Sequence, residues 1–386
     1  MEKRFVYADY AATAPLSLAA RDAIIPYMEQ YFGNPNSMYG LAHESRRAIE
    51  QARADIAAVL HVLPEEVYFT GGGTEADNWA LKGIAASTSG DKKHIIASPL
   101  EHPAIMHTLQ YLEKEQNCEV SYLPVESCGR IDAEALRDMI RKVTVLVTCM
   151  TANNEIGTIL DIAGLAAICR EKGVLFHTDA VQAVGHIPVD ASQVDLLSLS
   201  SHKFGGPKGV GALIVRNGIR LPPLIHGGGQ ENHKRAGTEN VAGIVGMAAA
   251  LTDAANHMKT TAARLTAQRK KLTDAVLRMP HTELTGDPDN RLPGLASFVI
   301  HYIEGESMVL MLDGNGICAS SGSACSSGSL DPSHVLLAIG LKHEIAHGSL
   351  RLSLGEQTTD EDVDYIIEKL PQIVERLRLM SPLKPE

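Results

Sequence analysis

The stretch "VDLLSLSSHKFGGPKGVGALIV" (residues 194–215) decides how the chain is read. Two aliphatic runs, "VDLLSLS" (194–200) and "VGALIV" (210–215), flank a turn rich in glycine, and one lysine, Lys203, stands just past the first run. Apolar runs without strict alternation suit strands covered on both faces. Open parallel sheets bind their ligands outside the carboxyl ends of such strands, which is where Lys203 falls.

The same pattern recurs outward from this stretch. Further runs are "EVYFT" (66–70), "KHIIAS" (93–98), "VTVLVTCM" (143–150) and "GVLFHT" (173–178). Helical stretches lie between them, among them "HESRRAIEQARADIAAVL" (43–60) and "IAGLAAICREKG" (162–173), the second closed by a glycine. Strands alternating with helices predict an α/β fold built on a mostly parallel, doubly wound sheet. A helix over roughly 252–279 then ends at Pro280, and "GDPDNRLPG" (286–294) reads as turns. A smaller α+β unit follows, with strands in "LASFVIHYI" (295–303) and "SLRLSLG" (349–355) and a last helix from about Thr359. A capping box from Thr358 to Glu361 is expected to open that helix, and Pro371 to kink or divide it. We expect a large domain over residues 16–258 and a small domain made of 1–15 and 259–386.

The chain has 386 residues, 45% of them hydrophobic and 21% charged, the composition of an ordinary folded protein of two domains. Its formal net charge of -11 argues against a nucleic-acid partner or an anionic membrane surface. The first fifteen residues carry no apolar core of a signal peptide, and "VAGIVGMAAAL" (241–251) is too short to span a bilayer. Six cysteines without a CxxC pair fit neither a disulfide framework nor a zinc ribbon, so the cytoplasm is the expected setting.

Unusual polar residues follow five of the apolar runs: Gly71-Gly72-Gly73-Thr74, His102, Asn153-Asn154-Glu155, Asp179 and His202-Lys203. Five on one sheet edge make a site. "TGGGTEADNWALKG" (70–83) enters a helix through glycines, which leaves a tight turn or a phosphate cradle as readings. Lys203 is either a solvated strand-end lysine or a Schiff-base amine. Asp179 is either a helix cap or the partner of a protonated ring nitrogen. A phosphate cradle, a lysine and an aspartate are together what pyridoxal 5'-phosphate needs from a protein.

Two rival motifs are weaker. "HEIAH" (343–347) matches the HExxH signature of zinc metallopeptidases, but that signature needs a sustained helix, and Gly340 and Gly348 enclose it here. We expect no metal site. "HGGGQ" (226–230) is similar to an esterase oxyanion loop, yet no G-x-S-x-G elbow accompanies it.

The motifs "DYAATAP" (9–15), "GGGTEADN" (71–78), "EH" (101–102), "NNEIG" (153–157) and "HTDAVQAVG" (177–185) occur in this order. "SSHKFGGPKGVG", "RAGTEN" (235–240), "ASSGSACSSGS" (319–329) and "RLSLG" (351–355) follow. Together, over about residues 5–365, the chain resembles the NifS/IscS-type cysteine desulfurases, which belong to the class V aminotransferase group of fold-type I PLP enzymes. The resemblance implies that Lys203 binds the cofactor covalently and later moves the substrate's Cα proton. It implies that His102 stacks on the ring and serves in proton transfer, that Asp179 holds the ring nitrogen, and that Gln182 and Asn154 lie near the ring hydroxyl. Gly73, Thr74, Ser200 and His202 would hold the phosphate, and Thr238 would reach the phosphate of a neighbouring subunit in a homodimer. Arg351, with Asn154, would bind the carboxylate of L-cysteine. The chain departs from the family pattern at Tyr39 in "GNPNSMYG" (33–40), where many relatives place a histidine, and at Asn232-His233 in "QENHKRAGT" (230–238), where Arg-Gly is common.

Within this frame Cys325, in "ICASSGSACSSGSLDPSH" (317–334), is the expected sulfur acceptor: its thiolate attacks the substrate sulfur and becomes a persulfide. The same sulfur must then reach an acceptor protein, which a segment of Ser and Gly permits and a rigid strand does not. The expected products are L-alanine and persulfide sulfur destined for iron–sulfur cluster assembly. A selenocysteine lyase or another aminotransferase of the group is the alternative. Cys318 is expected at a strand end, and Cys118, Cys128, Cys149 and Cys169 without chemistry.

Overall fold

The computed structural model describes residues 4–88, 90, 92–322 and 331–382. Cys325, the expected sulfur acceptor, lies outside the described residues.

Seven strands form the central sheet: β1 (Val67–Thr70), β2 (Lys93–Ala97), β3 (Cys118–Tyr122), β4 (Thr144–Thr148), β5 (Leu175–Asp179), β6 (Leu196–Ser200) and β7 (Gly211–Val215). Their spatial order is β1-β7-β6-β5-β4-β2-β3. Pairing is parallel between β3, β2, β4, β5 and β6 and antiparallel on both sides of β7. Because β7 runs opposite to both neighbours, β1 points the same way as the parallel set. The carboxyl ends of β1, β2, β4, β5 and β6 therefore share one edge, the edge to which the sequence assigned the polar residues.

Six of these strands coincide with the aliphatic runs, and the mostly parallel, doubly wound sheet is borne out. Strand β3 was not legible, because "CEVSY" alternates polar and apolar residues and is covered less than the central strands. Helices Gly40–Leu60 and Ile162–Lys172 form where expected, and Gly173 ends the second in the left-handed conformation. Burial of side chains such as Trp79 and Phe176, each worth roughly 1.5–3 kcal/mol, holds helices to the sheet. The Trp79 indole N–H keeps a partner inside, the Pro222 carbonyl at 2.8 Å.

The long helix runs Val241–Val276, starting eleven residues before the expected position. "VAGIVGMAAAL", read only as too short for a membrane, makes its first three turns, with Asn240 as cap. Ile244, Met247 and Leu251 pack in the core of the large sheet, whereas Leu265, Leu272 and Val276 pack in a second core. We propose that the two domains join within this helix, at residues 258–259.

The second core covers a three-stranded antiparallel sheet in which Leu295–Ile300 lies between Thr282–Leu284 and Ser349–Ser353. Residues Val6–Tyr7 pair with Ile317–Cys318, which puts Cys318 at a strand end. The last helix, Asp360–Met380, corrects two expectations. Its capping box runs from Thr359 to Asp362, not Thr358 to Glu361, because the Thr358 hydroxyl instead accepts the Gly355 N–H at 3.0 Å. It also continues through Pro371 undivided, held by Val363, Ile366, Leu370, Ile373 and Val374 in the core.

Candidate active site

Lys203 ends a short turn, Ser201–Lys203, that leaves β6 at its carboxyl end. Its Nζ donates to the carbonyls of Ala11 and Ala12 at 2.7 and 2.8 Å, so the ammonium is held by the N-terminal "DYAATAP" segment. His102 caps the helix Pro103–Gln116, and its Nδ1 accepts the Ala104 N–H at 3.1 Å, which places the ring proton on Nε2. Burial, followed by the charge of Lys203, lowers its pKa to about 4, so the ring is neutral at physiological pH. A neutral flat ring beside Lys203 suits stacking on a heteroaromatic cofactor.

Asp179 ends β5 and is only 5% exposed. It caps a turn and not a helix: Oδ1 accepts the Val181 N–H at 2.9 Å. Burial raises its pKa to about 6 against the opposing effects of that N–H and of Lys203. Asp77 and Glu101, both fully buried, are also pushed well above the usual carboxylate range by burial and by the charge of Asp179. Asp77 Oδ1 and Glu101 Oε2 make no hydrogen bond among the described residues. Buried carboxyls that feel one another's charge are relieved by protonation, and a protonated ring nitrogen beside Asp179 would let that one stay charged.

The phosphate cradle meets the same test. Helix Gly73–Ser87 begins at Gly72 with no side-chain cap, which leaves its first-turn N–H groups for a ligand. Gly72 has φ 150° and packs on Gly211 so closely that a β-carbon at 211 would sit 2.8 Å from the Gly72 backbone. Ser200 lies within 4 Å of the Gly73 β position, and His202 Nδ1 pairs with Thr13 Oγ1 at 3.1 Å. Gln182 donates to the Ala11 carbonyl at 2.9 Å. These residues fit a phosphorylated pyridine.

Arg351, in the small-domain strand Ser349–Ser353, reaches the same edge. Nη1 donates to the Asn154 carbonyl at 2.9 Å, Nη2 to Asp9 Oδ1 at 2.8 Å, and the buried Nε has no hydrogen-bond partner among the described residues. Thr238 stands exposed before the long helix, with no hydrogen bond to the described site residues of its own chain. Tyr39, exposed, precedes helix Gly40–Leu60, and Asn232 and His233 both adopt left-handed φ, 54° and 63°.

Residues without a sequence-assigned role complete the site. The Ala11 and Ala12 carbonyls, Asp9 and Thr13 all come from "DYAATAP", whose lack of secondary-structure signal hid their task. Among the other described cysteines, burial pushes the Cys169 thiol up to about 12 and raises Cys149, Cys118 and Cys318 as well, which disfavours the reactive thiolate at these four. "HEIAH" forms one turn, His343–Ala346, and not the sustained helix that a zinc site of that type requires.

The chain belongs to the class V aminotransferase family, whose model matches residues 6–366. The resemblance to NifS/IscS-type desulfurases is borne out as well. The chain is 50% identical to the cysteine desulfurase IscS of Methanosarcina thermophila, covering 100% of this chain and 96% of the relative. It is also 50% identical to the cysteine desulfurase IscS of Dictyoglomus turgidum, covering 100% and 98%. Among solved structures, a NifS-like protein is 37% identical, with TM-score 0.92 and coverage of 97% and 100%. The structure of SspA in complex with cysteine is 34% identical, with TM-score 0.81 and coverage of 92% and 100%.

Proposed function

We infer that the protein is a cysteine desulfurase that binds pyridoxal 5'-phosphate, converts L-cysteine to L-alanine and passes the sulfur to Cys325. The observation that carries this is the meeting of Lys203, His102 and Asp179 at one sheet edge, in a chain half identical along its length to cysteine desulfurases.

Gly73, Thr74, Ser200 and His202 hold the phosphate, with Thr238 of the partner subunit in a homodimer. Asp179 keeps the ring nitrogen protonated, while Gln182 and Asn154 face the ring hydroxyl. When bound, the cofactor supplies an electron sink for the bonds at Cα. Lys203 would hold and move the Cα proton at Nζ, and the neutral His102 ring would serve in proton transfer through its Nε2–H. Arg351 and Asn154 orient the substrate carboxylate.

In the sulfur step the Cβ–S bond breaks and its electron pair stays with carbon, which takes a proton to become the methyl group of alanine. The Cys325 thiolate uses its own pair to form the S–S bond, so thiol plus cysteine gives persulfide plus alanine without an external oxidant. We assign the sulfur to a scaffold protein of iron–sulfur assembly in the cytoplasm, in keeping with the serine-rich "ASSGSACSSGS" segment. No helix among the described residues is long and apolar enough to cross a membrane.

The test is Cys325→Ala. It should keep the bound cofactor's visible absorption and lose sulfide release from L-cysteine with a reductant. Full sulfide output from this variant contradicts the assignment, and alanine release from a selenium substrate alone favours a selenocysteine lyase.

A further inference from the structure

Glu155 follows β4, in the "NNEIG" segment. Its own N–H and that of Ile156 both donate to Asn153 Oδ1 at 2.8 Å, which fixes the turn and directs the carboxyl inward. The residue is only 8% exposed. An acid buried this far from water needs partners, and those of Glu155 are specific.

Ser333 donates its hydroxyl to Glu155 Oε2. That hydroxyl also accepts the Val335 N–H at 3.1 Å as the cap of helix His334–Ala338. Gly322 approaches the same oxygen from the other side: a β-carbon there would sit 2.9 Å from Oε2. A side chain at 322 would have to displace that carboxyl. Gly322 and Ser333 lie on either side of Cys325 in the chain. One carboxylate oxygen therefore touches both flanks of the stretch that carries the thiol. The neighbouring residue, Asn154, is tied through its carbonyl to Arg351 at 2.9 Å, and Arg351 is the charged group facing Glu155.

We propose that Glu155 is a positioning residue that fixes Gly322 and Ser333, the two flanks of the Cys325 stretch, against the substrate-carboxylate side of the active site. This rests on the reading of Cys325 as the sulfur acceptor. Glu155 touches neither cofactor nor substrate; it acts through the ends of the segment whose thiol must meet the substrate sulfur.

The test compares Glu155→Ala, Glu155→Gln and Cys325→Ala holoenzymes. Alanine released in the first turnover without reductant reports sulfur transfer; half-saturating L-cysteine and the cofactor's visible spectrum report binding. Glu155→Ala should slow first-turnover alanine roughly 10- to 100-fold, the scale of a displacement near 1 Å. Its spectrum and half-saturation should stay within about twofold, as expected when only the reacting geometry is lost. Glu155→Gln, which keeps an acceptor for Ser333, should recover most of the rate. The proposal is overturned if Glu155→Ala turns over at the parent rate, if rate, spectrum and half-saturation fall together, or if Glu155→Gln is as slow as Glu155→Ala. First-turnover alanine at the parent rate in Cys325→Ala instead overturns the sulfur-acceptor reading, whatever Glu155 does.

Discussion

Nη2 of Arg351 lies 2.8 Å from Oδ1 of Asp9, so the guanidinium assigned to the substrate carboxylate already holds a carboxylate of its own chain. The contact aims the guanidinium with its plane fixed, and Nη1 and Nη2 each keep a second N–H that the Asn154 and Asp9 contacts do not use and that a substrate carboxylate could take. A lysine cannot hold Asp9, the Asn154 carbonyl and a substrate in one plane. Arg351→Lys should raise the KM for L-cysteine roughly 10-fold or more, the loss of a charge-assisted hydrogen bond, with the cofactor spectrum kept. Steady-state kinetics with an unchanged KM would remove Arg351 from the substrate site.

His102 should stay neutral through the working range, because burial and Lys203 hold its pKa at about 4. Activity between pH 5 and 8 should then show no limb that disappears in His102→Gln. An imidazole NMR titration of the protein should give a midpoint near 4 for this ring. A midpoint near the ordinary value would mean that the ring is solvated and not packed as described.

Glu155 ties stability to pH. In the unfolded chain its carboxyl titrates at 4.5 and in the folded chain at about 7, chiefly because burial disfavours the charge. The folded state therefore binds the proton more tightly. This contribution is full below 4.5 and is lost as pH rises through about 7, a change of about 3 kcal/mol at ~1.4 kcal/mol per unit. Glu155→Gln should lose this fall, so its denaturant-unfolding free energy relative to the parent should improve between pH 5 and 8. A constant difference across that range would contradict the buried, raised titration.

His233 has φ 63°, a conformation that costs a residue with a β-carbon about 1 kcal/mol. The neighbouring Glu231 keeps the segment in place through Arg53, at 2.8 Å, and the Phe69 N–H, at 2.9 Å. His233→Gly should therefore stabilise the protein by about 1 kcal/mol, read as a higher urea midpoint at constant slope. Destabilisation would mean that the imidazole makes a compensating contact.

Much of the fold was legible because the parallel strands are covered on both faces and read as continuous aliphatic runs. The partly covered β3 broke that pattern, and the start of the helix at Val241 was hidden in a run of small residues without helical periodicity. For the site, Lys203, Asp179, His102 and Gly73 could be read because each follows a strand, so position along the chain predicts position at the edge. Asp9 and the Ala11 and Ala12 carbonyls could not, and for Glu155 the edge position was legible but its contacts with Ser333 and Gly322 were not. They act across the join of distant segments, and a backbone carbonyl has no side-chain identity to read. The cap of the last helix slipped by one residue because Thr358 and Thr359 both precede acids at the right spacing, and only the Gly355 contact separates them.

The most direct measurement is reduction of the native protein with borohydride, followed by mass spectrometry of its peptides. A pyridoxyl adduct on Lys203 and on no other lysine is the predicted result. No adduct, or one on a different side chain, would contradict the assignment of Lys203 as the cofactor-bearing residue.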